Sequence, residues 1–238
     1  SIIGINEDNS EYGKGVKVAV IDSGVQEHET FTGKEIKEFD FVTGQNGGEL
    51  PIDPDNGHGT AVASIIAGND SRNPGVAPAS EILSFRVLDN DGYTDSYTLA
   101  EAIVAATDSG ADIINVSLGS NGDSGMVRRA VDYAISEGAL IVAATGNEGI
   151  GSISFPAAID GVVAVAANDA VGQHVEFANS GTNLEDGGMS APGFGVLAAW
   201  PQGEVVSFSG TSASAPFVSG AVAAVMSENP GMSAGSAY

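Results

Sequence analysis

The 238 residues are enough for one sizeable hydrophobic core, and apolar side chains make up 42% of them. Thirty-one acidic against eight basic side chains give a formal charge of −23, which argues strongly against nucleic acid and anionic membrane surfaces as partners. No apolar run reaches the roughly 18 residues of a membrane span, and the lack of any cysteine excludes a disulfide framework and a thiol nucleophile. The acidity has two readings: solubility through self-repulsion, or a surface built for a saline habitat. Both concern solubility and association, not fold.

The N-terminal SIIGINEDNS has neither the positive region nor the apolar core of a signal peptide. From there short apolar runs alternate with helical patterns. VKVAVI (16–21) reads as a strand, TGQNGGELPIDPDNG (43–57) as a Gly-rich surface loop, and 59–67 as a helix. A loop, NDSRNPG (69–75), leads to a second strand, EILSFRVL (81–88). The helix predicted over 98–109 repeats Leu99, Ala102, Ile103 and Ala106 at helical spacing, with Thr98 as N-cap and Glu101 as its capping-box partner. Strand DIINVSL (112–118), a helix over 125–137, strands ALIVAAT (139–145) and GVVAVAA (161–167), and a last helix over 211–225 complete the series. Nearly continuous apolar runs are how strands buried on both faces of a parallel sheet read. The alternation predicts an α/β fold of three layers, α/β/α, with a mostly parallel central sheet. No repeat or linker divides the chain, so 1–238 reads as a single domain.

Three segments carry chemistry: VAVIDSG with Asp22, NGHGTAVA with His58, and SGTSASAP with Ser212. A serine hydroxyl is a weak nucleophile near neutral pH, and acyl transfer needs an imidazole to take its proton and a carboxylate to orient that imidazole. Each residue alone has a plainer reading. Asp22 at a strand end could be a turn former, a loop histidine is the ordinary case and is the reading for His28 and His174, and a serine opening a helix is usually a cap. Ser209 and Ser214 are close rivals of Ser212.

Taken in the order Asp, His, Ser, these segments resemble the catalytic domain of the subtilisin-like serine proteases, the subtilases, from about Gly15 to about Pro230. ATGNEG (144–149) and Ser117-Leu118-Gly119 extend the likeness. It implies a serine endopeptidase working through an acyl-enzyme on Ser212, with His58 as general base and acid, Asp22 orienting it, and Asn147 in the oxyanion hole beside the Ser212 N–H. It further implies that an extended peptide pairs with Ser117, Leu118 and Gly119 on one side and with Gly92, Tyr93 and Thr94 on the other. Ala144, Thr145 and Gly146 would wall the primary pocket, with Ser154 near its floor in place of the family's common glycine. That narrowed pocket is expected to take large apolar or aromatic side chains. Two other readings stand beside this one: a narrow-specificity processing protease, and a non-catalytic binding module of the same fold.

No cofactor is implied for the chemistry. A structural calcium is common in the family, but the loop from Asn69 to Pro74 looks shorter than the one that wraps it, and no metal ligand is assigned. Expected partners are a protein or peptide substrate and the enzyme's own pro-segment as inhibitor, with a monomeric, secreted protein as the setting. Ser1 reads as a mature boundary, and the end at Tyr238, soon after Ser212, as short for the family. The sequence departs from the family's pattern at Ala61, Ala213 and Phe217, where a histidine, a methionine and a histidine are usual.

Overall fold

A computed structural model describes residues 8–43, 56–70, 73–185 and 187–238, and most of the predicted Gly-rich loop lies outside them. In chain order the elements are β1 (Lys17–Asp22), β2 (Lys37–Asp40), α1 (His58–Ala67), β3 (Asn69–Asp70), β4 (Asn73–Pro74), β5 (Glu81–Arg86), α2 (Ser96–Asp108) and β6 (Ile113–Val116). Then follow α3 (Gly125–Ser136), β7 (Leu140–Ala144), β8 (Val163–Asn168), α4 (Thr182–Glu185), β9 (Met189–Pro192), β10 (Val196–Trp200), β11 (Glu204–Phe208), α5 (Thr211–Glu228) and α6 (Ala234–Ala237). A sheet of seven strands runs in the order β2-β5-β1-β6-β7-β8-β9, and every pair in it is parallel. Two short antiparallel pairs, β3-β4 and β10-β11, stand outside it.

Alternation along the strands sorts the core into two layers. Val18 and Val20 of β1 face one side with Ile82, Ile113 and Val142, and pack on Val62 and Ile66 of α1 and on Val218 and Val222 of α5. Ala19 and Ile21 face the other side, with Leu83, Ile114 and Ile141, against Leu99 and Ile103 of α2 and Val127 and Val131 of α3. Helices therefore cover both faces, which is why the strands read as unbroken apolar runs. β1 sits between β5 and β6, so the strand order reverses there. In open α/β sheets the crevice at the carboxyl edge of such a reversal holds the functional site.

Two local expectations are corrected. The N-cap of α2 is Asp95, whose Oδ1 accepts from the Thr98 N–H at 2.8 Å, so Thr98 lies inside the helix and the predicted capping box does not form. A carboxylate at that position balances the first-turn N–H groups and the positive end of the helix dipole better than a hydroxyl. α5 runs to Glu228 instead of Val225. Edge strands β2 and β9 and the β10-β11 hairpin have no counterpart among the predicted strands; β2, β9 and β11 are short, half-exposed and mix polar with apolar residues, and β10 is an apolar run of five residues outside the main sheet.

Candidate active site

Asp22 ends β1 fully buried, and its Oδ1 accepts from the Ser23 N–H at 2.8 Å. The same oxygen is 2.7 Å from His58 Nδ1. His58 opens α1, and what lets that helix end reach β1 is Gly59: a Cβ there would lie 2.3 Å from the Gly24 carbonyl oxygen and 3.2 Å from the Asp22 Cβ. Ser23 Oγ accepts from the Gly59 N–H at 3.0 Å, and Thr60 Oγ1 from the Gln26 N–H at 2.9 Å, so the first turn of α1 is clamped to the loop after β1. The edge of the His58 ring meets the Phe208 ring at 5.2 Å and 80°.

Burial pulls the His58 pKa down by disfavouring the imidazolium, but the charge of Asp22 and its hydrogen bond act together against this, and the net shift is upward from the usual 6.5. With Nδ1 held by a carboxylate, Nε2 is the nitrogen left to exchange a proton. The imidazole side chain is 29% exposed while Asp22 is sealed, so a ligand can reach the ring but not the carboxylate.

Ser212 lies in the first turn of α5, where its N–H has no intrahelical acceptor. Its hydroxyl donates to the Ser117 carbonyl oxygen at 3.0 Å, and no hydrogen bond joins it to His58. Ser117 directly follows β6, and because Val116 pairs with Ile21, it comes level with Asp22 at the carboxyl edge of the sheet. The rivals are otherwise engaged: Ser214 is buried and donates to Ala191 O, and Ser209 accepts from the Gly195 N–H.

Asn147 follows β7 and is exposed, but its amide is not free to turn. Its Oδ1 accepts from the Thr211 N–H at 2.8 Å and from the Thr211 hydroxyl at 3.1 Å, which aims Nδ2 outward as a donor without a protein acceptor. Thr211 Oγ1 in turn accepts from the Gly146 N–H at 3.1 Å. One buried threonine thus ties the turn after β7 to the start of α5, and a Cβ built on Gly210 would lie 3.4 Å from Asn147 Nδ2 and 3.7 Å from the Ser212 nitrogen, so the two donors stand close to one another.

Of the predicted pocket residues, Ala144, Thr145 and Ser154 are buried, and the Ser154 N–H donates to Thr145 O at 2.9 Å. Gly146 has φ +102, and a Cβ there would lie 2.3 Å from Ser154 Oγ, so the position excludes any side chain twice over. Leu118 and Gly119 make no backbone hydrogen bond of their own, leaving an open strand edge, and a Cβ on Gly119 would lie 3.1 Å from Ser154 Cβ. Gly92, Tyr93 and Thr94 form a separate turn after β5, closed by the Asp89 N–H to Tyr93 O at 3.0 Å, with Tyr93 74% exposed. No hydrogen bond joins that turn to 117–119.

Sequence reasoning missed Asn179, which is fully buried: its Oδ1 accepts from the Glu148 and Ile150 N–H groups, and its Nδ2 donates to Glu148 Oε2 at 2.6 Å and to Ser154 Oγ at 3.3 Å. It fixes the pocket wall and sets the Glu148 carboxylate at its rim. Nothing adjacent to Asn179 in the sequence signals this; only its burial does. His28 corrects another expectation. It is buried, its Nδ1 accepting from the Thr30 N–H at 3.0 Å and its Nε2 lying 3.1 Å from Glu204 O, so it bolts the segment after β1 to β11. His174 is exposed, as expected of a loop histidine.

The Asn69 and Asp70 N–H groups both donate to Thr30 Oγ1, at 3.1 and 3.3 Å. The described part of that loop offers Asp70 as its one carboxylate, whereas calcium asks for six to eight oxygen ligands; no calcium site is assigned to it. Among the described residues no three His, Asp or Glu side chains group to hold a metal, and no helix is long and apolar enough to cross a membrane.

Comparison with known proteins agrees with this geometry. The profile of the Subtilase family matches residues 13–236. Subtilisin Savinase of Lederbergia lenta is 38% identical over 223 residues, spanning 93% of this chain and 80% of that protein. Among solved structures, a cold-adapted subtilisin-like serine proteinase superposes with a TM-score of 0.85 at 30% identity, over 98% of this chain and 82% of the other. The patellamide maturation protease PatA does so with a TM-score of 0.81 at 33% identity, over 91% and 80%. With a parallel α/β/α sheet and an Asp, a His and a Ser gathered at its carboxyl edge, the chain belongs to the subtilase family and is a serine endopeptidase.

Proposed function

We propose that Ser212 attacks the carbonyl carbon of a peptide bond while His58 Nε2 takes the hydroxyl proton and passes it to the leaving amine, after which water, activated by the same imidazole, releases the acyl group. Asp22 holds the His58 tautomer and stabilises the imidazolium. Asn147 Nδ2 and the Ser212 N–H receive the oxyanion. The observation that carries this assignment is the 2.7 Å contact of His58 Nδ1 with a buried carboxylate oxygen. In the resting arrangement the Ser212 hydroxyl sits on Ser117 O. A substrate adding as a strand at 117–119 brings an N–H that competes for this carbonyl, and the displaced hydroxyl turns toward His58.

A sulfonyl fluoride or fluorophosphonate tests the assignment. It should label one serine, Ser212, and Ser212→Ala should abolish both labelling and peptide hydrolysis; labelling that persists on Ser209 or Ser214 would overturn it.

We read the whole chain as one catalytic domain. Its primary pocket, lined by Ala144, Thr145, Gly146 and Ser154, takes a large apolar or aromatic side chain, and the 92–94 turn forms the far side of the cleft. Catalysis in this family needs no cofactor. The resemblance also supports a pro-segment inhibitor and an extracellular, monomeric enzyme. A narrower processing role has one support, the likeness to a protein described as a maturation protease. Cleavage of a peptide library separates the two: broad cutting after apolar residues fits digestion, and a single motif fits processing.

A further inference from the structure

Helix α5 contains Pro216, four residues after Ser212. In an α-helix the carbonyl of residue i accepts the N–H of residue i+4, and a proline there has none to give. The Ser212 carbonyl is therefore deprived of its helical donor at the residue that carries the nucleophile. The Ser117 hydroxyl stands in: its Oγ donates to Ser212 O at 3.3 Å.

That bond is the end of a buried chain whose direction is fixed throughout. Ser219, two turns further along α5, gives its hydroxyl proton to Asn115 Oδ1 at 3.0 Å. The Asn115 amide nitrogen can only donate, and it donates to Ser117 Oγ at 2.9 Å. Ser117, with its lone pair so engaged, has one proton to give, and it goes to Ser212 O. Asn115 and Ser219 are fully buried and Ser117 nearly so. Asn115 is the one polar residue of β6, Ile-Ile-Asn-Val, in a sheet whose neighbouring positions are apolar. A buried polar chain of this kind is costly unless every member is bonded, and here every bond leads to the Ser212 carbonyl.

We propose that Ser117, through its side chain, is a positioning residue for the nucleophile: it supplies the hydrogen bond that Pro216 withholds and so fixes the first turn of α5, keeping the Ser212 N–H and hydroxyl aimed at one substrate carbonyl. This role is separate from strand pairing by the Ser117 backbone, and it rests on the reading of Ser212 as nucleophile. Misplacing a reacting group by about 1 Å can cost about 100-fold in rate, so a single hydrogen bond at this point acts on kcat more than on KM.

A double-mutant cycle tests it, with kcat and KM for a peptide amide measured per active site titrated and the melting temperature followed alongside. Ser117→Ala should lower kcat about 10- to 100-fold and leave KM within about 2-fold, because the backbone that pairs with substrate is kept. Pro216→Ala restores an N–H at position 216; in the Ser117→Ala background it should recover kcat about 5-fold or more, whereas alone it should change kcat little. Ser117→Thr keeps the hydroxyl and should retain most of the rate. Wild-type kcat in Ser117→Ala, or strictly additive effects of the two alanine substitutions, overturns the proposal. If Ser117→Ala does not fold, Ser219→Ala carries the test: it unties the far end of the chain and should lower kcat about 2- to 5-fold at constant KM, and an unchanged kcat counts against the role. Labelling of Ser212→Ala judges the nucleophile reading independently: loss of label there with full kcat in Ser117→Ala refutes the positioning role alone.

Discussion

Asp22 and His58 are joined in the resting enzyme, while the Ser212 hydroxyl rests on a backbone carbonyl. The pair therefore sets the pH response, because the imidazole must be neutral to accept the serine proton. Burial lowers the His58 pKa, but the charge and hydrogen bond of Asp22 outweigh it, so the rate should rise with pH through a midpoint above the usual 6.5. Asp22→Asn removes both upward contributions, leaves burial, and disturbs the tautomer. The midpoint should then fall below about 6.5, and kcat should drop by about 10⁴, the loss typical of an Asp-to-Asn change in a Ser-His-Asp triad. A wild-type midpoint at or below 6.5, or one that Asp22→Asn leaves in place, would contradict the electrostatic account. Beneath the serine, Ala213 packs with Ala61, Ile65 and Ala198, and Phe208 and Phe217 lie against them. Two alanines stand where the family usually has larger side chains, and the aromatic rings occupy the neighbouring space. With no thioether at 213, activity should survive peroxide exposure that oxidises exposed methionines such as Met126 and Met189; inactivation traced by mass spectrometry to a residue beside Ser212 would refute this.

The strands and helices that hold the site differ in how well they could be read. Buried strands and amphipathic helices repeat over many residues, and β1, β5, β6, β7, β8, α1, α2 and α3 lie within a residue or two of their predicted spans. Asp22, His58, Asn147 and Ser212 were legible because each sits in a short Gly-flanked segment at the end of such an element. What was not legible depends on residues distant in sequence: Asn179 meeting Ser154, His28 meeting Glu204, and the hydroxyl of Ser117 meeting the carbonyl of Ser212. Edge strand β2 adds a case that no periodicity could reveal. Glu38 pairs in register with Ser84, and neither of its buried carboxylate oxygens has a hydrogen-bond partner. Burial drives its pKa up to about 8; Ser84 and the Val25 amide lie close enough to oppose this weakly, and the nearby Asp40 charge adds to it. The unfolded chain ionises this group near 4.5. The folded state therefore loses stability as pH rises from about 4.5 to about 8 and loses no more through Glu38 above that. Glu38→Gln keeps the shape without the proton, so the gap between variant and wild type should grow with pH across that window, reaching a few kcal/mol by pH 8. Urea denaturation at pH 5, 7 and 9 measures it, and parallel stability curves would refute the assignment.

At the scale of the whole molecule, the charge of −23 dominates. Few of the acidic groups are matched. Among the described residues the exposed pairs Lys14–Glu11 and Arg128–Asp123, together with Lys37–Glu81 and the buried Arg86–Asp40, engage four cations, and exposed pairs of this kind contribute only about 0–1 kcal/mol each. Most carboxylates therefore face one another across solvent. At 0.01 M salt the Debye length is about 30 Å, so charges on opposite sides of the domain interact; at 1 M it is about 3 Å and only contacts remain. Unfolding spreads the charges apart, so the repulsion weighs on the folded state, and screening should raise the melting temperature. Most of the gain should come below about 0.5 M, where the screening length shortens through the dimensions of the domain. If screening alone acts, sodium chloride and potassium chloride are interchangeable and calcium differs only through its greater ionic strength per mole. Stabilisation by calcium at millimolar concentration, against a constant sodium chloride background, would instead mark a bound ion. A melting temperature that stays flat or falls between 0.01 and about 1 M salt would refute the repulsion argument and remove the charge-based case for a saline habitat.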